Sequence, residues 1–495
     1  MNVVYVSSEV VPFAKTGGLA DVAGALPPAL AARGHRVSVV MPFYRCVRDG
    51  GYPLTETERA VVVSMEDREE TARIRTMPME GAKRGAYFFV EHPRFFERGS
   101  GLYGTADGDY PDNDERFAFF SKAVAKWLAG QGEPVDIVHV NDWQSALLPI
   151  YLKLWYGGKP PLANVRSVLT IHNLAYQGLF DPRRYTITGL PYGLYKPHGG
   201  LEFWGRMNYL KGGILYADAI TTVSRRYAEE IRTEEFGAGL DGVLRDREGA
   251  VFGIQNGIDP EVWNPAADEL IPAIYSAQNL GGKANCKRAL QEECGLERDP
   301  AIPLFAMISR LADQKGLDLL VGVLEKLKRR KFQLVLLGTG DEKYHQILGA
   351  LAKSRKKRLS VNLRFDDRLA HRIEAGADIF LMPSRYEPSG LNQLYSLRYG
   401  TVPLVRAVGG LADTVTDCTE ETLRTGTATG FRFDEYSVDA FAEAWLRALE
   451  LFRDRKAWGR LMAAGMKQDW SWDRSAAEYE ELYERVRARR GAPTS

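Results

Sequence analysis

The chain has 495 residues, with 65 Lys and Arg against 64 Asp and Glu, so no global field attracts nucleic acid or an anionic membrane. This length exceeds what one hydrophobic core supports, so two domains are expected. The contents of 45% hydrophobic and 26% charged residues are ordinary for a globular protein, and no apolar stretch reaches transmembrane length. The first strand begins at once, with no signal or transit peptide, which predicts a cytoplasmic protein without a membrane partner.

The first half of the chain alternates short β-rich runs with helical patterns. A helix is predicted over Leu19–Arg33, because apolar residues recur at helical spacing and Gly34 provides a C-terminal stop. Residues 50–116 are rich in Gly, Pro and charge, and we interpret them as an insertion with hairpins. The predicted strands are Asn2–Ser7, Arg36–Met41, Asp136–Val140, Arg166–Ile171 and Ala219–Val223.

The second half repeats this alternation of strands and helices. Strands that alternate with helices indicate parallel sheets covered on both faces, which bind ligands beyond the C-terminal ends of their strands. The fold class is therefore α/β, with two facing Rossmann-like domains over residues 1–256 and 257–472 and a ligand site in the cleft between them. Residues 473–495 hold a final helix, roughly Asp473–Arg490. The predicted strands are Pro303–Ile308, Phe332–Leu337, Ser360–Phe365, Asp378–Met382 and Val402–Val405.

Neither metal nor redox chemistry is indicated by the pattern of cysteines and histidines. The four cysteines lack C-x-x-C spacing and are expected to be reduced thiols, and the seven histidines lack HExxH spacing. The run Gly338–Asp341 resembles half a dinucleotide fingerprint, and we interpret it as a strand-to-helix turn without NAD. The basic runs Lys326–Lys331 and Lys353–Arg358 are interpreted as solvated helix faces and not as nucleic-acid patches. No cofactor and no metal ion are predicted.

Residues 378–391 carry the most informative functional signal. Asp378–Pro383 is a short apolar run typical of a buried parallel strand, Glu387 follows in a polar loop, and a helical pattern starts at Leu391. The N-terminus of that helix suits a diphosphate, and the Glu387 carboxylate suits sugar hydroxyls. The two together favour a nucleotide-sugar site. The alternative is an ordinary strand–loop–helix joint with a solvated glutamate.

Two further segments place cations where strands end. Lys15 precedes Gly17 and Gly18, and paired glycines let a ligand approach the backbone closely while the lysine adds a point charge for phosphate. Arg310 follows a predicted strand and Lys315 precedes a helix, an arrangement that suits a diphosphate leaving group. The alternative for Arg310 and Lys315 is a pair of surface cations at the helix end that disfavours them.

These segments resemble the glycogen and starch synthases over nearly the whole chain. The resemblance implies the GT-B fold, with the final helix packed back on the first domain. The matching blocks occur in the order Lys15–Val22, Asn141–Trp143, His172–Gly178, Gln255–Asp259, Ser309–Leu311, Gln314–Gly316, Glu387–Leu391, Gly409–Val415 and Asp469–Trp472.

The resemblance implies a retaining hexosyltransferase that moves glucose from ADP-glucose to the non-reducing end of an α-1,4-glucan such as glycogen. It implies catalytic roles for Asp142, His172, Arg310, Lys315 and Glu387, with the last three on the diphosphate and sugar of the donor. From the residues alone, Asp142 could equally be a helix cap and His172 a structural histidine. The donor-binding residues that the resemblance implies are Lys15, Gly17, Gly18, Asn256, Phe365, Ser389, Gly390 and Leu391.

Two positions depart from patterns found among related enzymes. Tyr395 stands where many retaining glycosyltransferases of this fold have a second glutamate, although an aromatic residue is usual among glycogen synthases. Phe365 stands where relatives commonly have a tyrosine that stacks on adenine, so stacking remains while the phenol is lost. Two alternative functions stay open: a related GT-B enzyme with a small acceptor, and a glucan-binding protein without catalysis.

Overall fold

The protein is described by a computed structural model that covers residues 1–57, 60–99, 101–105 and 107–488. It divides into two compact units. The first unit holds residues 1–223, residues 228–255 and the chain from Trp472 onward, and the second holds residues 224–227 and 256–471. Within the described residues, no helix is both long and apolar enough to cross a membrane.

The first unit is built on a mixed sheet with strand order β15-β14-β10-β9-β1-β2-β6-β5-β3, and β4 pairs with β5. Neighbouring strands run parallel from β15 to β6. The strands of this unit are β1 (Asn2–Val6), β2 (Arg36–Pro42), β3 (Thr55–Glu56), β4 (Val61–Met65), β5 (Arg68–Pro78), β6 (Gly85–Glu91), β7 (Gly104–Thr105), β8 (Gly108–Asp109), β9 (Ile137–Asn141), β10 (Arg166–Ile171), β11 (Leu179–Phe180), β12 (Glu202–Phe203), β13 (Arg206–Asn208), β14 (Ala219–Thr222) and β15 (Val251–Gly253).

The central strands β1, β9 and β10 are buried except for Asn2 and Arg166 at their starts, and the chain before residue 256 also forms helices. They are α1 (Gly18–Ala32), α2 (Arg45–Asp49), α3 (Pro93–Phe96), α4 (Asn113–Ala129), α5 (Asp142–Ser145), α6 (Leu148–Trp155), α7 (Tyr209–Tyr216), α8 (Arg225–Glu230) and α9 (Asp241–Asp246). Short 3-10 helices lie at Pro182–Thr188, Tyr192–Leu194 and Glu248–Ala250.

The predicted insertion at residues 50–116 does contain hairpins. Strands β4, β5 and β6 pair antiparallel and extend the parallel sheet, and α4 starts at Asn113. Residues 58, 59, 100 and 106 of this predicted insertion lie outside the described residues.

The last described helix, α19 (Trp472–Ala488), belongs to the first unit and packs against α1. Its Glu480 carboxylate accepts a hydrogen bond from Arg33 at 2.8 Å and lies 3.0 Å from the His35 ring. The Tyr483 hydroxyl lies 2.6 Å from Nδ1 of His139, a buried histidine whose pKa is lowered to about 3 by that burial. These contacts hold the helix on the sheet. The last two residues of the helix predicted over 473–490 lie outside the described residues.

The second unit is a parallel sheet with strand order β18-β17-β16-β19-β20-β21 and helices on its faces. Its strands are β16 (Leu304–Ile308), β17 (Gln333–Leu337), β18 (Leu359–Asn362), β19 (Ile379–Met382), β20 (Val402–Arg406) and β21 (Phe431–Phe433). Its helices are α10 (Gly281–Glu293), α11 (Leu317–Lys326), α12 (Glu342–Ser354), α13 (Asp367–Gly376), α14 (Asn392–Arg398), α15 (Gly409–Thr414), α16 (Glu420–Thr425), α17 (Val438–Leu451) and α18 (Arg455–Met466), with a 3-10 turn at Asp313–Lys315.

The predicted strands of both halves are present, and all but one end within a residue of the prediction. The exception is the strand predicted over Ser360–Phe365, which ends at Asn362 because Asp366 caps α13 by accepting a hydrogen bond from Leu369 N–H at 3.0 Å. The prediction for the two basic runs is also partly wrong. Helices α11 and α12 end at Lys326 and Ser354, so most of each run lies beyond the helix C-terminus and not on a helix face.

Candidate active site

The candidate residues of the first unit lie at the C-terminal ends of three adjacent parallel strands. The Lys15–Gly18 loop follows β1, Asp142 follows β9 and His172 follows β10. Strand β9 pairs with both β1 and β10, so these three strand ends lie side by side on one edge of the sheet. This is the edge at which parallel α/β sheets bind ligands.

Asp142 and His172 are joined directly. The His172 backbone N–H donates to Asp142 Oδ1 at 2.7 Å, so the carboxylate is not a helix cap but a clamp on the neighbouring strand end. Asp142 has φ of +52°, a left-handed conformation that costs free energy for a residue with a Cβ. Burial raises the pKa of this carboxyl to about 7, although the backbone N–H groups of His172 and Asn173 oppose that rise.

The tautomer of the His172 ring follows from its hydrogen bond to Asn141. Nε2 lies 2.9 Å from Oδ1 of Asn141, and that amide is oriented because its Nδ2 donates to the Val6 carbonyl at 3.0 Å. Tyr5 donates its hydroxyl hydrogen to the same Oδ1, so Nε2–H is a donor and Nδ1 an acceptor. Burial lowers the pKa of His172 to about 3, and the ring is therefore neutral at physiological pH.

Glu9 organises the loop that carries the paired glycines. This buried carboxylate accepts hydrogen bonds from Thr16 N–H, from the Thr16 hydroxyl at 2.6 Å and from Gly17 N–H at 3.2 Å. Tyr103 donates to the same carboxylate at 2.8 Å. The Gly17 N–H that we expected to be available to a phosphate is therefore bonded to Glu9 in this structure. The pattern of the sequence had not identified Glu9 as a site residue.

The glycines themselves face open space. No described atom lies within 4 Å of a Cβ built on Gly17 or Gly18, and Gly17 is extended at φ −154°. Neither glycine is thus required by packing or by its own turn, and the space beside both is open to a ligand. The adjacent Lys15 is half exposed and forms an ion pair with Asp21 at 2.7 Å.

In the second unit, Lys315 and Glu387 form a close ion pair. Lys315 Nζ lies 2.6 Å from Glu387 Oε2, and the two side chains are 21% and 8% exposed. The Ser384 hydroxyl donates to the same oxygen at 2.9 Å. Lys315 precedes α11 and Glu387 follows β19, so the cation and the carboxylate are brought together at the C-terminal edge of the sheet.

Backbone contacts bring the two loops of this pair together. Gly316 has φ of +70°, and a Cβ there would lie 2.0 Å from the Pro383 carbonyl oxygen, so only glycine fits. Arg385 N–H donates to the Gln314 carbonyl at 2.8 Å, and the Gln314 side chain donates to the Tyr386 carbonyl at 3.1 Å. The Lys315 loop is therefore held against the Glu387 loop by these backbone contacts and hydrogen bonds.

Arg310 lies on the same edge of the sheet, at the end of β16, with an exposed side chain. Its guanidinium donates to Gln314 Oε1 at 3.4 Å. This hydrogen bond is long and therefore weak, so the guanidinium remains able to bind an anion. The glycine turn after β17 supports this position, because a Cβ on Gly338 would lie 1.9 Å from the Ser309 carbonyl oxygen. The half fingerprint in the sequence is thus a packing feature beside Arg310.

Ser389, Gly390 and Leu391 lead into α14, which has seven residues. The backbone of this segment is closely packed by the paired glycines that begin α15. A Cβ on Gly409 would lie 2.0 Å from the Glu387 carbonyl oxygen, and one on Gly410 would lie 2.1 Å from that of Ser389. These glycines position the Glu387 loop, a role that the sequence motif alone did not assign.

Asn256 and Phe365 are the remaining candidates of the second unit. Asn256 is buried, and its Oδ1 has no hydrogen-bond partner among the described residues. Phe365 is 85% exposed and lies between β18 and α13, beside the Arg364–Asp366 ion pair. A large aromatic ring exposed to this degree does not belong to the core.

The two sets of residues have different chemical capacities. The set of the second unit offers two cations, a buried carboxylate and an exposed ring, which suit a diphosphate, sugar hydroxyls and a base. The set of the first unit offers a neutral histidine and a carboxyl whose pKa lies near neutrality. Over the described residues, no group of three or more His, Cys, Asp and Glu side chains is arranged to hold a metal ion.

Two family descriptions match most of the chain. Residues 2–246 match the starch synthase catalytic domain, and residues 296–461 match the glycosyl transferases of group 1. The chain is 50% identical over 488 residues to a glycogen synthase of Anaeromyxobacter sp. (strain Fw109-5), covering 99% of this chain and 100% of that protein. It is 47% identical over 488 residues to a glycogen synthase of Koribacter versatilis, covering 98% of each.

Solved structures give the same result. The catalytic domain of starch synthase IV from Arabidopsis thaliana, bound to ADP and acarbose, superposes with a TM-score of 0.88 at 34% sequence identity, covering 99% of both chains. The sucrose-phosphate synthase of Thermosynechococcus elongatus superposes with a TM-score of 0.59 at 18% identity, which is a likeness of fold alone. The GT-B type of α/β fold expected from the sequence is confirmed.

Proposed function

The chain belongs to the glycogen and starch synthase family, and we propose that it transfers glucose from ADP-glucose to the non-reducing end of an α-1,4-glucan, with retention at the anomeric carbon. The new linkage is α-1,4 and the polymer is glycogen. The observation that carries this proposal is the pairing of Lys315 with Glu387 on the edge of the second sheet. A cation that suits a diphosphate thus lies beside a buried carboxylate that suits sugar hydroxyls.

The second unit holds the donor in this proposal. Arg310 and Lys315 neutralise the diphosphate, and their charge is worth most in the transition state, when the leaving group becomes more negative. Glu387 accepts hydrogen bonds from the glucose hydroxyls, and Phe365 stacks on the base. Asn256 supplies its unpartnered amide oxygen, and Ser389, Gly390 and Leu391 supply backbone groups to the donor.

The first unit acts on the sugar and on the acceptor. Since Nε2–H of His172 is bonded to Asn141, Nδ1 accepts a hydrogen bond from a glucose hydroxyl. Asp142 holds the His172 backbone in place. Lys15 adds a cation, and the open space beside Gly17 and Gly18 lets the donor phosphates approach this loop. Burial lowers the pKa of His172, which disfavours a role for it as a cationic acid at physiological pH.

Transfer on one face of the sugar follows from the groups available. The bond from the anomeric carbon to the diphosphate oxygen breaks while the bond to the acceptor O4 forms on the same face. The acceptor proton passes to an oxygen of the departing phosphate. This route needs no second carboxylate as a nucleophile, in contrast with the paired carboxylates of retaining glycosidases.

A donor panel with a polymer acceptor tests the proposal. The full chain is incubated with ADP-, UDP- or GDP-glucose and glycogen, and the length of the outer chains is measured after debranching. We expect ADP-glucose to lengthen the polymer most. An enzyme that needs a small acceptor and a glucan-binding protein without catalysis would both leave the outer chains of glycogen at their original length, and that result would reject the proposal.

We further propose a cytoplasmic location. The four cysteines Cys46, Cys286, Cys294 and Cys418 are free thiols in the structure, as expected in a reducing compartment.

A further inference from the structure

Trp204 occupies a position that the fold alone does not favour. It lies with Gly205 in the two-residue turn that joins β12 to β13, where Phe203 pairs with Arg206. Both turn residues have positive φ, +51° at Trp204 and +77° at Gly205. Such turns favour Asn, Asp and Gly, since a bulky residue in this conformation is strained.

Burial does not compensate this strain, because the Trp204 side chain is 84% exposed. The hairpin that carries the indole is nevertheless supported by a neighbouring turn. A Cβ built on Gly239 would lie 3.0 Å from the Phe203 ring and 3.7 Å from the Trp204 indole nitrogen, so the turn at Ala238–Gly239 passes beneath the hairpin. A strained and exposed ring on a supported hairpin indicates a contact surface.

This hairpin is attached to the segment that carries His172. Gln177, five residues after His172, donates from its side chain to the Ala238 carbonyl at 3.0 Å and accepts from the Asn208 side chain at 2.7 Å. Strand β13 also pairs with β11, which begins at Leu179. The loop of the candidate histidine, the Trp204 turn and the turn beneath it therefore form one hydrogen-bonded structure in the first unit.

We propose that Trp204 is a binding platform for the α-1,4-glucan chain, beyond the residue that accepts glucose. This inference rests on the proposed function, since it names how the same unit holds the polymer. A pyranose presents a face of C–H groups that stacks on the negative face of an indole, while hydroxyls on its rim need polar neighbours. The polar residues of this hairpin are Arg206, which is exposed, and Glu202, which is half-buried. Arg206 donates to the Leu179 carbonyl at 2.6 Å, and Glu202 accepts from Gly205 N–H at 2.7 Å.

The surroundings of the ring favour a sugar over a protein partner. A stable protein interface needs an apolar core of many side chains, whereas this hairpin offers Trp204 and Phe203, with ring centroids 6.5 Å apart, next to Gly205 and charged residues. Two other exposed aromatic rings lie along the same stretch of chain, Tyr176 at 51% and Tyr192 at 72% exposure. Each of these rings offers a further face on which a pyranose can stack.

The test uses Trp204→Asn, which removes the ring and places a favoured residue in the turn. We expect this variant to keep or raise Tm while its Kd for glycogen rises about tenfold, measured by affinity electrophoresis in glycogen gels and by calorimetry with maltoheptaose. Trp204→Phe keeps a ring and should retain most of the affinity. Ile274→Ala, at an exposed apolar side chain of the second unit, is the matched control and should bind as wild type.

Donor is absent from these binding measurements, so their outcome is separate from that of the transfer assay. Loss of transfer with every nucleotide sugar would reject the proposed function, whereas wild-type glycogen affinity of Trp204→Asn would reject the platform. Failure of the wild-type chain to bind glycogen would also reject it. A change in the oligomeric state of Trp204→Asn on sedimentation, with unchanged glycogen affinity, would assign the ring to a protein contact and overturn the proposal.

Discussion

Lys315 and Glu387 neutralise each other at 2.6 Å, although 72 residues separate them in the chain. Each group was expected to meet a different part of the donor, the cation the diphosphate and the carboxylate the sugar. Their pairing means that the diphosphate competes with Glu387 for the charge of Lys315. If the pair binds the donor as proposed, we expect binding and transfer to be coupled through it and substitutions at the two positions to have opposite effects on ADP affinity.

Replacing Lys315 by methionine keeps the length of the side chain and removes its charge. We expect turnover to fall about a hundredfold or more, as for the loss of one preorganised donor to a developing charge. Glu387 keeps only the Ser384 hydroxyl as a described partner on Oε2, and we expect the free energy of unfolding to fall by about 1–3 kcal/mol.

A double variant separates these two effects of the Lys315 substitution. Lys315→Met combined with Glu387→Gln removes the uncompensated carboxylate, so stability should recover in urea unfolding while turnover stays low. Near-normal turnover of Lys315→Met, with only a lowered Tm, would make this lysine structural.

Glu387→Gln should have opposite effects on transfer and on ADP binding. Transfer should be strongly reduced, because the sugar hydroxyls lose their charge-assisted hydrogen bonds. ADP lacks the sugar, so it does not need Glu387. Because Lys315 is no longer neutralised by a carboxylate, the affinity of the protein for ADP should rise about fivefold, which corresponds to roughly 1 kcal/mol for a partly exposed ion pair. Calorimetry with ADP measures this, with Ser384→Ala as the control that keeps the charge. A fall in ADP affinity would assign Glu387 to the nucleotide.

Glu9→Gln tests whether the buried carboxylate positions the glycine loop. An amide retains one acceptor oxygen but turns donors toward the N–H groups of Thr16 and Gly17, so the loop should loosen. We expect faster hydrogen exchange at both amides and a KM for ADP-glucose raised by about tenfold, equivalent to one lost hydrogen bond to a charged group.

The matched control for the Glu9 variant is Tyr103→Phe. It removes a hydrogen bond to the same carboxylate without touching the loop, so exchange at Thr16 and Gly17 should stay near wild type. If Glu9→Gln leaves both the exchange rates and KM unchanged, the Glu9 carboxylate does not position the glycine loop for the donor.

The strands and the residues at their ends were predictable because buried parallel strands leave continuous apolar runs. Asp142 and His172 follow such a run directly, and Arg310 and Glu387 lie in the loops that follow the runs ending at Ile308 and Met382. Glu9 carries the same signal, a carboxylate soon after β1, and could have been found on that ground. The order of strands within the sheets needs the structure, since pairing is set by packing over long sequence separations.

The contacts between loops were not predictable from the sequence. Lys315 meets Glu387 because Gly316 lies against Pro383, and the sequence shows Gly316 only as a possible helix start. The tautomer of His172 depends on Asn141, whose amide is oriented by Tyr5 and Val6 on another strand. In the same way, the exposure of Trp204 depends on a turn type that the dipeptide Trp204–Gly205 does not predict.

Asp142 should make the stability of the first unit depend on pH. Burial raises the pKa of its carboxyl to about 7 from an ordinary value of 3.8. The folded state thus binds the proton more tightly than the unfolded state. The stabilising contribution is fully present below about pH 4 and is lost as pH rises through about 7, at roughly 1.4 kcal/mol per pH unit within this window.

Asp142→Asn carries no titrating group and keeps an oxygen for the His172 N–H. The free energy of unfolding of this variant minus that of the wild type should therefore increase from pH 4 to pH 7 and level off above pH 8. Urea unfolding at each pH measures the difference, in which the other titrating groups cancel. Parallel stability curves for the two proteins would contradict the raised pKa.

Phe365 should contribute to donor choice through stacking alone. Because the ring is 85% exposed, Phe365→Ala should leave Tm unchanged, so a change in binding can be attributed to the ligand. A ring gains roughly 1–3 kcal/mol by stacking on a base, with little regard to which base it meets. We expect Phe365→Ala to weaken ADP binding about tenfold and UDP binding less, since the larger purine offers more stacked area. Phe365→Tyr, the matched variant, should keep or improve ADP binding. Calorimetry with both nucleotides decides this, and unchanged affinities in Phe365→Ala would remove the ring from the base site.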